Sequence, residues 1–231
     1  MADNSGGSAG GGIGSAGIGV IVGKLLRRLW SSHTTIAVTR DLAGAPADGA
    51  GAGDDLRVAF EDPATFETLP RLLAETSGAD YLQARAVERT REAKAGSLSV
   101  ARNAAGDVVA FMFVHEPKDH DALERIAPGL YPRLQEGDVL TRTVFCLPEW
   151  RGRGYEPRVL VATGALLAGQ GKRRALAYLD TTNASDMRIF QAAGYTPSGQ
   201  ERVDSYRLGR YSNAFRPVTP PSRAAWDSAT R

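Results

Sequence analysis

DVLTRTVFCLPEWRGRGYEP, residues 138–157, is the stretch that decides how this chain folds. Its first half, Asp138 to Leu147, is a long β-branched and apolar run of the kind a central strand needs. Glycines and arginines follow at once, and residues 155–170 read as an apolar helix. Glycine at such a junction lets the backbone turn tightly and approach a ligand with no Cβ in the way. The helix start offers unpaired N–H groups and the positive end of a macrodipole, a natural seat for phosphate. Arg151 and Arg153 bring charge-assisted donors to the same spot. Many strand–glycine–helix junctions are ordinary turns, so this shape by itself does not establish a ligand.

Working outward, the pattern alternates on the C-terminal side: a strand over 173–180, a helix over 184–193 and a strand over 201–210. On the N-terminal side, 34–41 reads as a strand, and 64–76 and 79–94 read as helices. Strands over 97–102 and 107–115 are joined by Asn103-Ala-Ala-Gly106, a hairpin signal. Two antiparallel strands followed by β–helix–β–helix–β predict an α/β (α+β) domain: a mixed central sheet with flanking helices. The domain is expected over 34–215. A flexible, glycine-rich segment, 1–33, precedes it, a loop over 42–55 interrupts it, and a proline- and serine-bearing tail, 216–231, follows it.

With 231 residues, 42% of them hydrophobic and 23% charged, the chain can bury a core, which excludes wholesale disorder. A single cysteine excludes an internal disulfide or a Cys-based zinc site and fits a reducing cytoplasm, the expected location. A net charge of +2 is too balanced to argue for a nucleic-acid partner. Nine of the 26 glycines fall in the first 23 residues, which marks a tail rather than a packed element. The apolar part of Ile13–Trp30 is too short and interrupted to span a membrane. Its basic residues Lys24, Arg27 and Arg28 follow the apolar part instead of preceding it as in a secretory signal. A membrane-surface contact by residues 13–30, a short packed element and a loose tail all stay open here, as does a homodimer.

The 147–157 segment resembles motif A of the GNAT acyltransferase superfamily, whose pyrophosphate loop reads Arg/Gln-x-x-Gly-x-Gly/Ala. Arg151 and Gly154 match the first two fixed positions, and Pro148-Glu149-Trp150 resembles the Pro-Glu-Tyr that often precedes them. Downstream, Asn183-Ala-Ser-Asp-Met-Arg-Ile-Phe-Gln-Ala-Ala-Gly-Tyr195 resembles motif B, in which an Asn follows a strand and a short helix ends in Gly-Phe or Gly-Tyr. The resemblance covers about Leu98 to Arg210. It implies acetyl-CoA or another acyl-CoA as donor, a small-molecule or peptide amine as acceptor, no metal, and a sheet splayed after the central strand. It further implies that the main chain of Phe145 and Leu147 pairs with the donor's pantetheine arm. Gly152, Gly154, Arg151 and Arg153 would hold the pyrophosphate, and Asn183 would bond the same arm or cap its helix. Residues 76–81 and 115–137 would line the acceptor site.

Two residues depart from the pattern. The second small residue of the loop is Glu156, followed by Pro157, as in a divergent branch of the superfamily. Proline removes one donor from the anion seat, and Glu156 sets a carboxylate near it, although an acid in a first helical turn is also stabilising. Phe190 stands where many relatives carry a Tyr that protonates the departing thiolate, and Phe has no proton to give. Tyr195 is a substitute hydroxyl or a core ring. The base is open among Glu149, Asp138 and Asp180. Cys146 reads as a small buried apolar residue, and His115 to Asp121 as a solvated loop. A non-catalytic acyl-CoA-binding or sensor module is the alternative that Glu156 and Phe190 keep open.

Overall fold

The computed structural model describes residues 30–43, 53, 55–63, 66, 68–75, 78–207 and 210–229. The glycine-rich segment before Trp30 and most of the 42–55 loop lie outside them. The elements in chain order are β1 (Trp30–Asp41), β2 (Leu56–Glu61), α1 (Thr68–Glu75), α2 (Gly78–Glu92), β3 (Ser97–Asn103) and β4 (Val108–His115). Then come α3 (His120–Ile126), β5 (Asp138–Cys146), α4 (Tyr155–Gly169), β6 (Arg174–Asp180), α5 (Ala184–Ala192), β7 (Thr196–Arg207), β8 (Arg210–Pro217) and α6 (Pro220–Ser228). One eight-stranded sheet carries them, in the order β2-β3-β4-β5-β6-β1-β7-β8. Only β5 and β6 run parallel, and every other neighbouring pair is antiparallel.

The expected α/β domain with a mixed sheet and flanking helices is what the structure shows. Asn103 turns the β3–β4 hairpin, its Oδ1 accepting from the N–H groups of Ala105 and Asp107 at 2.9 Å each. One face of the sheet is covered by α4, α5 and α6, whose Val159, Leu160, Phe190 and Trp226 pack with Ile36, Val38, Val139 and Ala177. On the opposite face, Ala84 and Val87 of α2 pack with Leu98, Phe111, Phe113 and Phe145, while Leu123 of α3 meets Leu140. Burying both faces explains why β4 reads as an unbroken apolar run.

Local pattern missed several elements. The first strand begins at Trp30, four residues before the expected start, and it is central: β6 flanks it on one side and β7 on the other. Ile36 and Val38 are fully buried there. A strand ending at 210 and a tail over 216–231 are expected, but residues 210–217 form β8 and 220–228 form α6. Buried Glu201 of β7 ties them down, accepting from Arg216 Nε at 2.7 Å and from the Thr219 N–H and hydroxyl at 3.1 Å each. Trp226 anchors α6 in the core. Such tethers are long-range side-chain events that proline and serine content cannot reveal.

Candidate functional site

The two parallel strands meet only at their starts, where Asp138, Val139 and Leu140 pair with Arg174, Ala175 and Leu176. Thr141 Oγ1 then donates to Leu176 O at 3.0 Å, closing the last rung, and beyond it the strands part. On its other edge β5 pairs with β4, but the register shifts between Phe111 and Phe113, leaving Thr143 and Val144 as the bulge. Thr143 sits at φ +51°, a left-handed conformation that a β-branched residue adopts only under tertiary constraint. Bulge and parting together open a cleft of ≈440 Å³ that passes between β5 and β6.

Its two mouths differ chemically. Toward α4 and α5 the walls are Cys146, Arg151, Glu156, Asp186, Ile189 and Phe190. Toward α2 they are Gln83, Tyr131, Arg142 and Tyr178. At the first mouth, Gly154 is the N-cap of α4 at φ +73° and no side chain caps the helix. Gly152 is also left-handed, at φ +74°, and a Cβ added at either glycine would meet nothing within 4 Å. The turn is therefore an open cradle facing the unpaired N–H groups of the helix start, although Pro157 in the first turn contributes none. Arg153 lies over the Trp150 ring at 4.6 Å, and Arg151 lies over Phe145 at 5.5 Å while its Nε donates to Cys146 O at 3.1 Å. These features fit the phosphates and pantetheine arm of an acyl-CoA.

Glu156 works against that fit, because its carboxylate turns into the cleft beside the Cys146 thiol. Burial, reinforced by Glu156, pushes that thiol up to about 12, so Cys146 is a neutral wall and not a nucleophile. Burial also raises the Asp186 carboxyl from its ordinary value. The Asn183 hydrogen bond opposes this shift, while the charges of Asp180 and Glu156 add to it.

The expected residues separate into those at the cleft and those away from it. Arg151 lines the cleft, while Gly152, Arg153 and Gly154 form the exposed turn beside it. Phe145 and Leu147 are corrected by register. Leu147 N–H donates to Val109 O at 3.0 Å, and the next paired residue on that side is Phe145. Main-chain groups alternate sides along a strand, so the Cys146 N–H and C=O are the ones that face the cleft. Asn183 is the N-cap of α5, its Oδ1 accepting from Asp186 N at 3.2 Å.

None of the expected catalytic residues lines the cleft. Glu149 is exposed and pairs with Arg71 at 3.6 Å. Asp180 closes a turn, accepting from the Thr182 N–H and hydroxyl at 2.8 and 2.7 Å. Tyr195 is buried against Phe190 with its hydroxyl 3.5 Å from Thr141 Oγ1, and burial pushes its hydroxyl up to about 12. Asp138 is held by Arg174 at 2.6 Å. Sequence reasoning missed Asp186 and Arg142. Asp186, Ile189 and Phe190 share one face by their i, i+3, i+4 spacing, and Arg142 is a charge inside an otherwise apolar and hydroxylated run.

No family sequence model matches the chain, and no curated protein matches it by sequence. Solved structures do match. One is the GCN5-related glucosamine N-acetyltransferase region of a fungal multi-domain GH3 β-N-acetylglucosaminidase, with 13% identity over 77% of this chain and 21% of that one, at TM-score 0.51. A GCN5-related N-acetyltransferase from Sphaerobacter thermophilus matches at 13% identity over 87% of this chain and 56% of its own, at TM-score 0.47. An acetyltransferase assigned to the GNAT family from Novosphingobium aromaticivorans matches at 16% identity, over 81% and 66%, at TM-score 0.45. The chain thus spans less than two thirds of each of these chains. The first likeness, together with the parted β5–β6 pair and the glycine cradle, shows that this chain has the GNAT acetyltransferase fold.

Proposed function

We propose that the protein is an acyl-CoA-dependent N-acyltransferase that moves an acyl group, acetyl in the simplest case, directly to an amine. The observation that carries this reading is the coincidence of three features at one cleft. The parallel strands part, the bulge at Thr143 and Val144 turns β5 away from β4, and the open glycine–arginine cradle stands at the uncapped start of α4. An acyl-CoA laid there would have its phosphates on the cradle and its arm along the cleft-facing edge of β5. The Cys146 N–H points there as a donor to the arm or to charge developing on a carbonyl oxygen. Among the described residues lining the cleft, Asp186 and Glu156 are the carboxyl groups. Both stand at the mouth toward α4 and α5, so an amine that enters on the α2 side would give up its proton to water in the cleft rather than to either carboxylate directly.

A second reading has its own support. Phe190 lines the cleft where a proton donor would serve, and Glu156 faces inward, which favours a module that binds acyl-CoA without turning it over. Isothermal titration of the full chain with acetyl-CoA, followed by thiol release across an amine panel, separates the two. Heat with thiol release supports the enzyme, heat without release on any amine supports the module, and no heat with acetyl-CoA or long-chain acyl-CoA refutes both.

A further inference from the structure

The second mouth of the cleft holds a positive charge that no carboxylate among the described residues offsets. Arg142 projects from β5 on the α2 side, opposite Phe113. Its guanidinium lies 4.9 Å from the Tyr131 ring centroid, and its buried Nη1 has no hydrogen-bond partner. No carboxylate among the described residues pairs with it. The neighbouring charges have found their partners. Arg202 stacks on the other faces of this cluster, 5.7 Å from Tyr131 and 5.5 Å from Tyr178, but it forks onto Asp204 at 2.8 to 3.1 Å and donates to Leu130 O. His115 is fully buried next along this face, and burial, reinforced by Arg142, holds it down at about 3, so it supplies no charge of either sign near neutrality. Glu156 and Asp186 belong to the opposite mouth. A plain cationic amine entering from the α2 side therefore meets like charge. An amine that also carries an anion meets a guanidinium packed against an aromatic ring, with hydrogen-bonding capacity left unused.

We infer that the acceptor is an amine bearing its own anionic group, carboxylate or phosphate, and that Arg142 is the residue that selects it. The inference rests on the acyltransferase reading for the word acceptor, but the anion site can be judged without it.

The experiment is titration calorimetry of the full chain, with and without acetyl-CoA, using two matched pairs: phenylalanine against phenethylamine, and phosphoethanolamine against ethanolamine. At least one anion-bearing member should bind about tenfold more tightly than its partner, the contribution expected of one charge-assisted contact. The pair that discriminates identifies carboxylate or phosphate. In Arg142→Gln the preference should collapse while acetyl-CoA affinity and melting temperature hold, and Arg142→Lys should restore part of it. If phenethylamine and ethanolamine bind as well as their anionic partners, the proposal is wrong. It is equally wrong if the preference survives in Arg142→Gln, or if neither anionic amine binds at millimolar concentration. Absence of heat with acetyl-CoA, alongside an intact Arg142-dependent preference, would remove the acyltransferase reading and leave the anion site standing.

Discussion

Replacing Glu156 by Gln should tighten acyl-CoA binding while weakening the fold, two effects of opposite sign from one substitution. Glu156 lies in the first turn of α4, one residue past Tyr155 and two past the Gly154 cap, with its carboxylate in the cleft beside Cys146. A phosphate seated on the cradle would lie roughly 7 Å away, so one pair of unit charges repels by about 1 to 2 kcal/mol at an effective dielectric of about 40 to 20. Arg151 and Arg153 offset part of the second phosphate charge, so the net gain on neutralising Glu156 should be about 1 to 2 kcal/mol, or about 5- to 30-fold in affinity. The same carboxylate stabilises the positive end of its helix by about 0.3 to 1 kcal/mol, so Glu156→Gln should melt about 1 to 4 °C lower. A third readout is local. Glu156 helps burial hold the Cys146 thiol at about 12, so that thiol should ionise at a lower pH in the variant. Acetyl-CoA titration, thermal melting and the pH dependence of thiol labelling measure the three. An affinity that is unchanged or weaker in Glu156→Gln, with the fold intact, would show that phosphate does not sit at the start of α4.

Gly154→Asp should lower acetyl-CoA affinity by about tenfold or more relative to Gly154→Ala, because both carry the left-handed strain of about 1 kcal/mol and only Asp adds a negative charge to the cradle; titration of the two variants checks it. His115 is fully buried, and its pKa falls from 6.5 when unfolded to about 3 when folded, so the unfolded chain takes up a proton first on acidification. That contribution to stability is present above about pH 6.5 and lost as pH falls toward 3, by at most about 5 kcal/mol. Both ring nitrogens of His115 lack partners, so His115→Leu should cost little at pH 7 and flatten this acid limb in denaturant titrations. Ile36 is fully buried in the strand between β6 and β7, so Ile36→Ala should destabilise by about 2 to 5 kcal/mol, and deleting residues 1–41 should abolish cooperative unfolding. Cooperative melting of residues 42–231 at the full-length temperature would contradict the central place of β1.

Much of the fold was legible because its signals are local. The β-branched run from Asp138, the hairpin at Asn103–Gly106 and the apolar helix after Gly154 each follow from composition, turn chemistry and period within a short window. The cradle was legible for the same reason, since glycine after a strand and before a helix is a local requirement of the backbone. The rest of the site was not. Phe145 and Leu147 differ from Cys146 only in the parity of their hydrogen bonds, and parity is set by how β4 registers on β5. Glu149, Asp180 and Tyr195 have suitable chemistry, yet an ion pair, a turn and a ring contact hold each of them away from the cleft.

The chain's own order of residues thus determined that an α/β domain would form and that a glycine–arginine turn would open its longest apolar helix. Tertiary structure alone decided that the first strand sits between β6 and β7, that β5 bulges at Thr143, and that Arg142 and Glu156 face opposite mouths of one cleft. Periodicity and turn preference act between near neighbours and can be read in order along the chain. Strand neighbours, register and the side a charge faces are settled by burying two faces of one sheet together, and that balance exists only once the chain has folded.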